Sequence, residues 1–474
     1  MRSYIITLCC LTALLTGCFK DKGNYDYNLP EAPQVVLDSV YNVFVGDSLI
    51  VEPEISFLSK DSLSFEWRIG VPDPDIEDVV DSGSTMRVRF GLGAQRYQTK
   101  LTITNEVNGM KYFHYFIVSG KTAFSSGTVI LSEENGLAQV SFIKPDGTVQ
   151  PGIYTIVNPE DALPTEPTQL LAVPEARLPG TVRRYWVFGK SGAHTGVEID
   201  ANTFRKTRFL ADLFFDPPAT ILPEKMFANP QGVITGVVNG RLQAGTTNTW
   251  DQAPTYGMFG LGASGDYELS PELVFNYLGV YGPGNYIGFD KLKKQFVRIN
   301  LYGDPTFFGP AYTVVGDAFN PLSLGMDLEK VIQINGGLCY AYARSGGVLQ
   351  ELKFNTNFNG PFEFTPMLKR AFLRPELLTA TTLWASTPNE VIYFSSGDKV
   401  YRYNPSNDDF RVLNTSFNGK AITMLKVLTD NVTLAVGVEG SLYYLNINTG
   451  VYGDLLQKID GLPGKVLDQA SRNQ

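Results

Sequence analysis

The sequence predicts an all-β protein in which an N-terminal immunoglobulin-like β-sandwich precedes a C-terminal β-propeller-like domain of six to eight blades. Short segments of alternating apolar and polar residues recur along the chain of 474 residues, and this period of two is typical of strands with one buried face. The 46 Gly and 28 Pro suit tight turns between such strands. Two C-terminal segments also align without gaps at an offset of 42 residues, close to the length of one four-stranded propeller blade.

Residues 1–17 have the features of a lipoprotein signal peptide. Arg2 supplies a basic start, and residues 5–15 form an uncharged, mostly apolar stretch of 11 residues. This stretch is shorter than the roughly 20 residues that span a bilayer, and it suits the central region of a signal peptide. The following Leu15-Thr16-Gly17-Cys18 is the pattern at which lipoproteins are cleaved and acylated, so we predict lipidation at Cys18. The alternative is an ordinary secreted protein that is cleaved nearby.

Lipidation would hold the mature chain at a membrane, because two or more acyl chains anchor a protein stably. Residues 18–30 then comprise the lipidated cysteine and a polar tether that contains Lys20-Asp21-Lys22. Charged residues at this place resemble the signals that send lipoproteins to the cell surface in some Gram-negative groups. We therefore expect a protein that is lipid-anchored in the outer membrane and faces the cell surface.

Residues 31–119 are predicted to form the sandwich. Six segments in this region mostly alternate apolar and polar residues and are separated by turn-forming residues: 34–38, 48–55, 63–69, 85–90, 97–104 and 111–118. Six short strands in such a span favour an immunoglobulin-like sandwich. Trp67, in the third segment, is predicted to be its core tryptophan, and exposed stacking on a ligand is the alternative.

Residues 127–455 are predicted to form the propeller-like domain. Residues 393–410 align with residues 435–452, so that Asn404 corresponds to Asn446. Asp200 and Asp290 occupy similar places in two weaker echoes. An Asp or Asn side chain can bond the backbone of its own turn, which explains its recurrence at these places. Residues 367–378 are the best short helix candidate, and residues 456–474 are predicted to be a polar C-terminal tail.

Charge and cysteine content exclude some partners and bonds. The net charge is −9 and no basic cluster occurs, so nucleic acid is not an expected partner. Cys9 and Cys10 leave with the signal peptide, and Cys18 carries the lipid. Cys339 is then the one thiol that remains, so the mature chain is predicted to contain no intrachain disulfide.

No linear motif predicts a catalytic residue, a metal site or a cofactor. The two histidines, His114 and His194, lie in a predicted strand and a glycine-rich turn, and neither has a second ligand at metal spacing. The G-x-S-x-G, H-E-x-x-H, P-loop and C-x-x-C patterns are absent. The acidic residues between Asp73 and Asp81 indicate a solvated loop, with calcium binding as the alternative. Carboxylates are frequent, so a glycosidase-type pair stays open.

Aromatic residues in glycine-spaced stretches are the candidate ligand or partner contacts. Exposed rings on a rigid scaffold stack on sugars or pack on peptides. The candidates are Tyr256, Phe259, Tyr302, Phe307 and Phe308. The alternative interpretation assigns these rings to the core of the blades.

The chain resembles the PKD-like lipoproteins of Sus-type (starch-utilisation-like) nutrient-uptake loci. The resemblance depends on the lipobox followed by Lys20 to Tyr27, on Ser126 to Gly136, and on the layout of the chain. The strand-C tryptophan of PKD domains is present in Glu66-Trp67-Arg68-Ile69-Gly70, but the Gly-Asp-Gly-type turn is only partly matched. The label PKD-like is therefore looser than immunoglobulin-like.

The resemblance implies an accessory surface lipoprotein of a SusCD-like uptake complex, with a TonB-dependent transporter and a SusD-like lipoprotein as partners. We expect a non-enzymatic protein that binds an oligomeric nutrient, either a glycan or a peptide, or that docks on the transporter. The alternative is a propeller-based hydrolase or lyase that acts on surface glycans or peptides. A purely structural adaptor is a third possibility. Fold alone does not decide among these functions.

Overall fold

The computed structural model describes residues 32–57, 62–72, 76–175, 178–247, 255–275, 284–300, 306–358 and 362–473. These residues form an all-β structure, and the chain divides into two compact units between Gly120 and Lys121. Cys18, the tether over 18–30 and Tyr302 lie outside the described residues. Within the described ranges, no helix is both long enough and apolar enough to cross a membrane.

The first unit is a β-sandwich of short strands. In the part that the structure describes, these are β1 (Gln34–Val36), β2 (Val40–Phe44), β3 (Ser48–Val51), β4 (Glu54–Ser56), β5 (Leu63–Ile69), β6 (Val79–Ser82), β7 (Met86–Arg89), β8 (Arg96–Asn105) and β9 (Lys111–Lys121). The largest sheet has the order β2-β9-β8-β5-β6, and its pairs β9-β8, β8-β5 and β5-β6 are antiparallel. Separately, β1 pairs with β4 and β3 pairs with β7, both antiparallel.

Trp67 lies at the centre of this unit, as predicted. Its side chain is fully buried, and its indole nitrogen donates a hydrogen bond to the carbonyl oxygen of Gly83 at 2.8 Å. The ring packs edge-on against Phe116. Strand β2 was not predicted, because Val40 and Phe44 on its exposed face are also apolar and obscure the alternation.

The second unit begins with strands that contribute to a large sheet. In chain order its first elements are β10 (Ser126–Glu134), β11 (Leu137–Ile143), β12 (Val149–Gln150), helix α1 (Ile153–Val157), β13 (Thr165–Glu175), β14 (Leu178–Ser191), β15 (Gly196–Asp200), β16 (Lys206–Phe209), β17 (Pro223–Ala228), β18 (Ile234–Val238) and β19 (Arg241–Ala244). A short 3₁₀ helix, Leu210–Leu213, separates β16 from β17.

The remaining strands continue the same pattern of short antiparallel groups. They are β20 (Val274–Phe275), β21 (Asn285–Asp290), β22 (Gln295–Asn300), β23 (Thr306–Gly309), β24 (Thr313–Val314), β25 (Asp327–Asn335), β26 (Leu338–Ser345), β27 (Val348–Asn357), β28 (Glu363–Ala371), β29 (Trp384–Ser386), β30 (Ile392–Ser396), β31 (Lys399–Asn404), β32 (Asp409–Val412), β33 (Ile422–Val427), β34 (Thr433–Asn446) and β35 (Asp454–Asn473). Short 3₁₀ helices occur at Pro321–Ser323 and Pro375–Leu377.

Five sheets make up the described part of the second unit. Four of them are β17 to β19, β20 to β23, β24 to β28 and β29 to β32, and within each the long strands are mostly sequential antiparallel neighbours. The fifth has the order β16-β15-β14-β13-β11-β10-β35-β34-β33, with β12 on β11. Its two halves meet at β11 and β13 through a single residue pair, Leu137 and Thr165.

The last segment of the chain is a strand, which corrects the prediction of a polar tail over 456–474. Strand β35 pairs with β34 from Asp454 to Asp460 and with β10 from Lys465 to Asn473. Gly464, at a φ of 56°, lies between the two parts, and a Cβ there would overlap the carbonyl oxygen of Glu133. The first and last strands of the unit are thus hydrogen-bonded neighbours.

Residues 367–378 also differ from the helix suggested by the sequence. Residues up to Ala371 belong to β28, which pairs with β27, and only Pro375–Leu377 form a 3₁₀ turn. Propensity for a helix is overridden here because the strand satisfies its backbone groups against a neighbour.

The recurring Asp and Asn residues have the role that the internal similarity predicted. Each is the last residue of its strand, and its side-chain oxygen accepts a hydrogen bond of 3.0 Å from the backbone N–H two residues later. The four residues are Asp200, Asp290, Asn404 and Asn446. Their recurrence is therefore explained by turn formation rather than by ligand binding.

Candidate functional site

A cavity of about 1140 Å³ lies within the second unit. Seven short segments of the described chain and the single residue Arg344 of β26 contribute to its wall. The segments are 168–169 of β13, 224–225 of β17, 271–272 just before β20, 329–330 of β25, 378–384 leading into β29, 423–426 of β33 and 467–468 of β35. Small-molecule sites commonly enclose roughly 300–1,000 Å³. This cavity is thus large enough for several units of an oligomer.

One carboxylate in the wall is shared by two lysines. The Glu272 carboxylate lies 3.3 Å from the Lys225 ammonium and 2.6 Å from the Lys330 ammonium. Burial raises the pKa of Glu272, but attraction to the two lysines outweighs it, so the pKa is lowered overall. Burial, together with repulsion from Lys225, lowers the pKa of Lys330. The three groups carry one excess positive charge when all are ionised.

Two further basic residues of the cavity wall are each paired with one acidic residue. The Lys426 ammonium lies 2.8 Å from Asp468, whose other oxygen accepts the N–H of Leu170 at 3.1 Å. The Arg344 guanidinium lies 2.6 Å from Glu329. Glu224 also lines the cavity, and its carboxylate accepts a hydrogen bond from the N–H of Gly240 at 3.0 Å. The lining therefore contains four acidic and four basic residues, and their charges cancel when all are ionised.

The segment 378–384 forms an apolar side of the same cavity through Leu378, Leu383 and Trp384. The Trp384 ring is half-buried and stacks on Tyr342 at 4.6 Å between ring centroids. Threonines 168, 379, 382 and 423 also line the cavity, and the buried hydroxyl of Thr168 has no hydrogen-bond partner among the described residues. The cavity therefore combines an apolar surface, hydroxyl groups and charged side chains of both signs.

The aromatic residues singled out in the sequence lie elsewhere and do not form one site. Phe259 is 2% exposed and belongs to a core cluster with Trp186 and Phe188, so its ring is not available on a surface. Tyr256 is half-buried, and its hydroxyl donates to the carbonyl oxygen of Gln231 at 2.6 Å. Core packing holds Phe259, and a hydrogen bond within the same unit holds Tyr256.

Phe307 and Phe308 lie in different surroundings. Phe307 is partly buried and stacks on Tyr267 at 4.3 Å between centroids. Phe308 is 38% exposed, and the Arg298 guanidinium lies over its ring at 4.6 Å. Of the described candidates, Phe308 thus offers the most ring surface to solvent.

The two histidines have structural positions, and of the acidic stretch between Asp73 and Asp81 residues 73–75 lie outside the described residues. His114 lies in β9 and burial lowers its pKa, while His194 stacks on Phe209 at 3.5 Å between centroids. Asp78 and Asp81 accept hydrogen bonds from backbone N–H groups of their own region. Among the described residues, no group of three His, Cys, Asp or Glu side chains is arranged to hold a metal ion.

The charged residues of the cavity were not among the candidates predicted from the sequence. A usable signal was the dipeptide Glu-Lys followed by an apolar residue near the start of two strands, at Glu224-Lys225 in β17 and at Glu329-Lys330 in β25. Two adjacent charged residues near the start of a strand are unusual where that strand is buried. The recurrence of this dipeptide in β17 and β25 indicates that both strands contribute to one polar site.

Comparison with protein families identifies the N-terminal region. A family profile described as the PKD-like family matches residues 18–167. This span covers the first unit together with β10 to β12 and α1 of the second unit. The N-terminal sandwich is therefore PKD-like, as the resemblance implied.

Solved structures show only distant likeness. The dihydro-heme d1 dehydrogenase NirN in complex with DHE aligns with 80% of this chain and 73% of its own, at 11% identity and a TM-score of 0.38. A crystal structure of the mitotic checkpoint complex aligns with 65% of this chain and 90% of its own, at 9% identity and a TM-score of 0.38. Likeness at this level carries no argument about fold or function. The comparison with curated proteins gives no match.

Proposed function

We propose that the second unit is a seven-bladed β-propeller with the cavity at its centre. The support is that the cavity is lined by residues in, or just before, the first long strand of six groups of antiparallel strands. Residues 467–468 of β35 line it from a seventh group. The seventh group would combine the C-terminal part of β35 with β10, β11 and β12, joining both ends of the unit. Such an arrangement protects strand edges that would otherwise be open to pairing with other chains.

The protein acts as a lipid-anchored binding protein at the outer-membrane surface, where it captures an oligomeric nutrient for a TonB-dependent transporter and its SusD-like lipoprotein. The observation that carries this proposal is the large cavity with apolar, hydroxyl and charged walls. The lipobox at Cys18 and the match to the PKD-like family support a surface location. Binding rather than turnover is favoured because the carboxylates of the cavity are engaged with cations or backbone groups.

Replacing the lipidated cysteine should release the protein from membranes. In cells that express Cys18→Ala, we expect the chain to move from the membrane fraction to the soluble fraction, because no acyl chain then attaches it. Cys10→Ala, within the signal peptide, is the matched control and should leave anchoring intact. Mass spectrometry of the mature protein that shows an unmodified N-terminus at another position would reject this assignment.

Purification from native outer membranes tests the proposed partners. A tagged chain, solubilised gently, should co-purify with a TonB-dependent transporter and a SusD-like lipoprotein, whereas an unrelated tagged lipoprotein from the same cells should not. Recovery of neither partner contradicts the uptake role. Sustained hydrolysis of glycans or peptides by the purified chain, lost in Glu272→Gln, would establish the enzymatic alternative instead.

A further inference from the structure

The five-stranded sheet of the first unit has a depression of about 440 Å³ on its outer face. Residues of β5, β6, β8 and β9 line this sheet depression. Thr102 of β8 lies opposite Phe113 on one side and Glu66 on the other. In the next row across the sheet, Thr104 lies opposite Ser64. Short side chains at these central positions lie between longer neighbours, which leaves space for a small ligand.

Hydroxyl groups form much of the polar lining of the sheet depression. They belong to Ser64, Ser82, Thr102 and Thr104. The Ser64 hydroxyl donates to the Glu106 carboxylate, whereas the described residues offer no hydrogen-bond partner to the hydroxyls of Thr102 and Thr104. A threonine hydroxyl both donates and accepts, as the hydroxyls of a sugar do. The two threonines are therefore suited to bind a sugar.

Two exposed aromatic rings lie beside the sheet depression on β9. Phe113 is 50% exposed, and Tyr115, which lies on the same face of the strand, is 70% exposed. Residues two apart on a strand are about 7 Å apart, so neighbouring units of one oligomer can reach both rings. The Lys100 ammonium lies over the Phe113 ring at 5.6 Å from its centroid. Tyr115 consequently offers the larger free surface, on which the apolar face of a sugar can pack.

Charged side chains around the sheet depression do not select a charged ligand. Four acidic and three basic residues line it or contact its lining residues and Phe113. They are Glu66, Asp78, Asp81, Glu106, Arg68, Lys100 and Lys111. The Arg68 guanidinium lies 3.3 Å from Glu66 and 3.4 Å from Asp78, and both oxygens of Asp81 accept backbone N–H groups. The nearly balanced charges suit a neutral ligand.

We propose that this face of the first unit binds a neutral oligosaccharide, with one sugar on Tyr115 and the next at the hydroxyls of Thr102 and Thr104. The site is built from residues other than those of the cavity in the second unit, so the proposal goes beyond the capture function and does not depend on what that cavity binds. A peptide commonly adds to a free strand edge. Strands β5 and β8 have a neighbour on both sides, so their side chains alone are open to a ligand.

Affinity electrophoresis of the purified chain from residue 19 onward tests the proposal. Native gels contain soluble starch, β-glucan, xylan, glucomannan or galactan, and we expect at least one of these neutral polysaccharides to retard the chain. Calorimetry with a hexasaccharide of the same polysaccharide then gives the affinity. Raising sodium chloride from about 50 to about 500 mM should leave that affinity unchanged, because salt screens charges and the ligand has none.

Variants of the exposed face locate the site. Tyr115→Ala should weaken binding about tenfold, because a stacking surface is lost, and Phe113→Ala together with Tyr115→Ala should abolish retardation. Thr102→Val keeps the volume of the side chain, removes its hydroxyl and should weaken binding about fivefold. The matched control is Phe215→Ala, which removes a ring of the second unit that is 66% exposed and should leave affinity unchanged. Circular dichroism and melting curves verify that each variant is folded.

Three results would overturn the proposal. The first is that none of the neutral polysaccharides retards the chain. The second is that the chain lacking both Phe113 and Tyr115 is retarded as strongly as the original, which would place the glycan elsewhere. The third is tighter binding of polygalacturonate than of every neutral polysaccharide. Each of these results leaves the proposed uptake role standing, because the transporter co-purification tests that role separately.

Discussion

Truncation after Leu455 should prevent the second unit from folding. The deletion removes most of β35, which pairs with both β34 and β10. It also removes the buried Ile459, Leu462 and Val466 from a core cluster. Burial of one such side chain contributes about 1.5–3 kcal/mol, so their loss approaches the ~5–15 kcal/mol stability of a typical protein.

The deleted segment also carries a buried charge. Arg472 is 2% exposed, and its guanidinium donates hydrogen bonds to the carbonyl oxygens of Ala201 and Phe124, at 2.6 and 2.9 Å. Removing Arg472 leaves both carbonyl oxygens without this hydrogen-bond donor. The expected result is therefore unfolding of the whole second unit rather than fraying at one end.

Hydrogen exchange and limited proteolysis measure the outcome. In the truncated chain, amides of β10 and β34 should exchange fast, while those of β5 and β8 in the first unit should stay protected. Leu456→Ser is the matched control, because Leu456 lies in the same strand but is 56% exposed, and we expect it to change stability by less than about 0.5 kcal/mol. A truncated chain that melts like the full-length protein would restore the tail interpretation.

Local features of this fold could be predicted from the sequence, and long-range ones could not. Alternation identified the buried Trp67 in β5, and the repeated Asn404 and Asn446 identified turns, because both signals depend on neighbouring residues alone. Strand β35 was not predicted, because its buried residues are few and Gly461 and Gly464, both with positive φ, interrupt the regular alternation. Its pairing with β10 joins residues more than 300 positions apart.

The candidate site could not be predicted from the sequence either, because its residues are far apart along the chain. Lys225, Glu272 and Lys330 belong to three different groups of strands, and no linear motif connects them. Aromatic residues in glycine-rich stretches were an attractive signal, yet Phe259 and Phe307 pack into cores. Aromatic rings stabilise the core by the same apolar surface that would bind a sugar, so composition alone does not separate the two roles.

A buried carboxylate joins two neighbouring sheets and should be among the most sensitive positions in the second unit. Glu351 of β27 is fully buried, and its carboxylate accepts a hydrogen bond from the Arg370 guanidinium at 2.6 Å. The Tyr403 hydroxyl, from β31 of the next sheet, donates to it at 2.9 Å. Glu198 and Arg208 form a similar pair in β15 and β16, at 2.9 Å. A buried glutamate paired with a partly exposed arginine thus links β27 to β28 and β15 to β16, the last two strands in chain order of each group.

Arg370→Ala should destabilise the second unit by about 3 kcal/mol, because breaking a buried ion pair leaves one charge without its partner. Urea denaturation, followed through hydrogen exchange of β27 and β28, gives the free energy of unfolding. The matched control is Arg374→Ala. Arg374 pairs with Glu376, and both side chains are about half exposed, so its loss should change stability by less than about 1 kcal/mol.

The pH dependence of Arg370→Ala distinguishes loss of charge compensation from loss of packing. Burial raises the pKa of the Glu351 carboxyl above its ordinary value, and Arg370 opposes that rise. Without Arg370 the pKa of Glu351 rises further. A carboxyl whose pKa is raised in the folded state contributes stability below its unfolded pKa and loses that contribution as pH increases through the folded pKa. The deficit of the variant should therefore be smallest at acid pH and grow towards pH 8. A deficit that stays constant between pH 5 and pH 8 would assign the effect to packing alone.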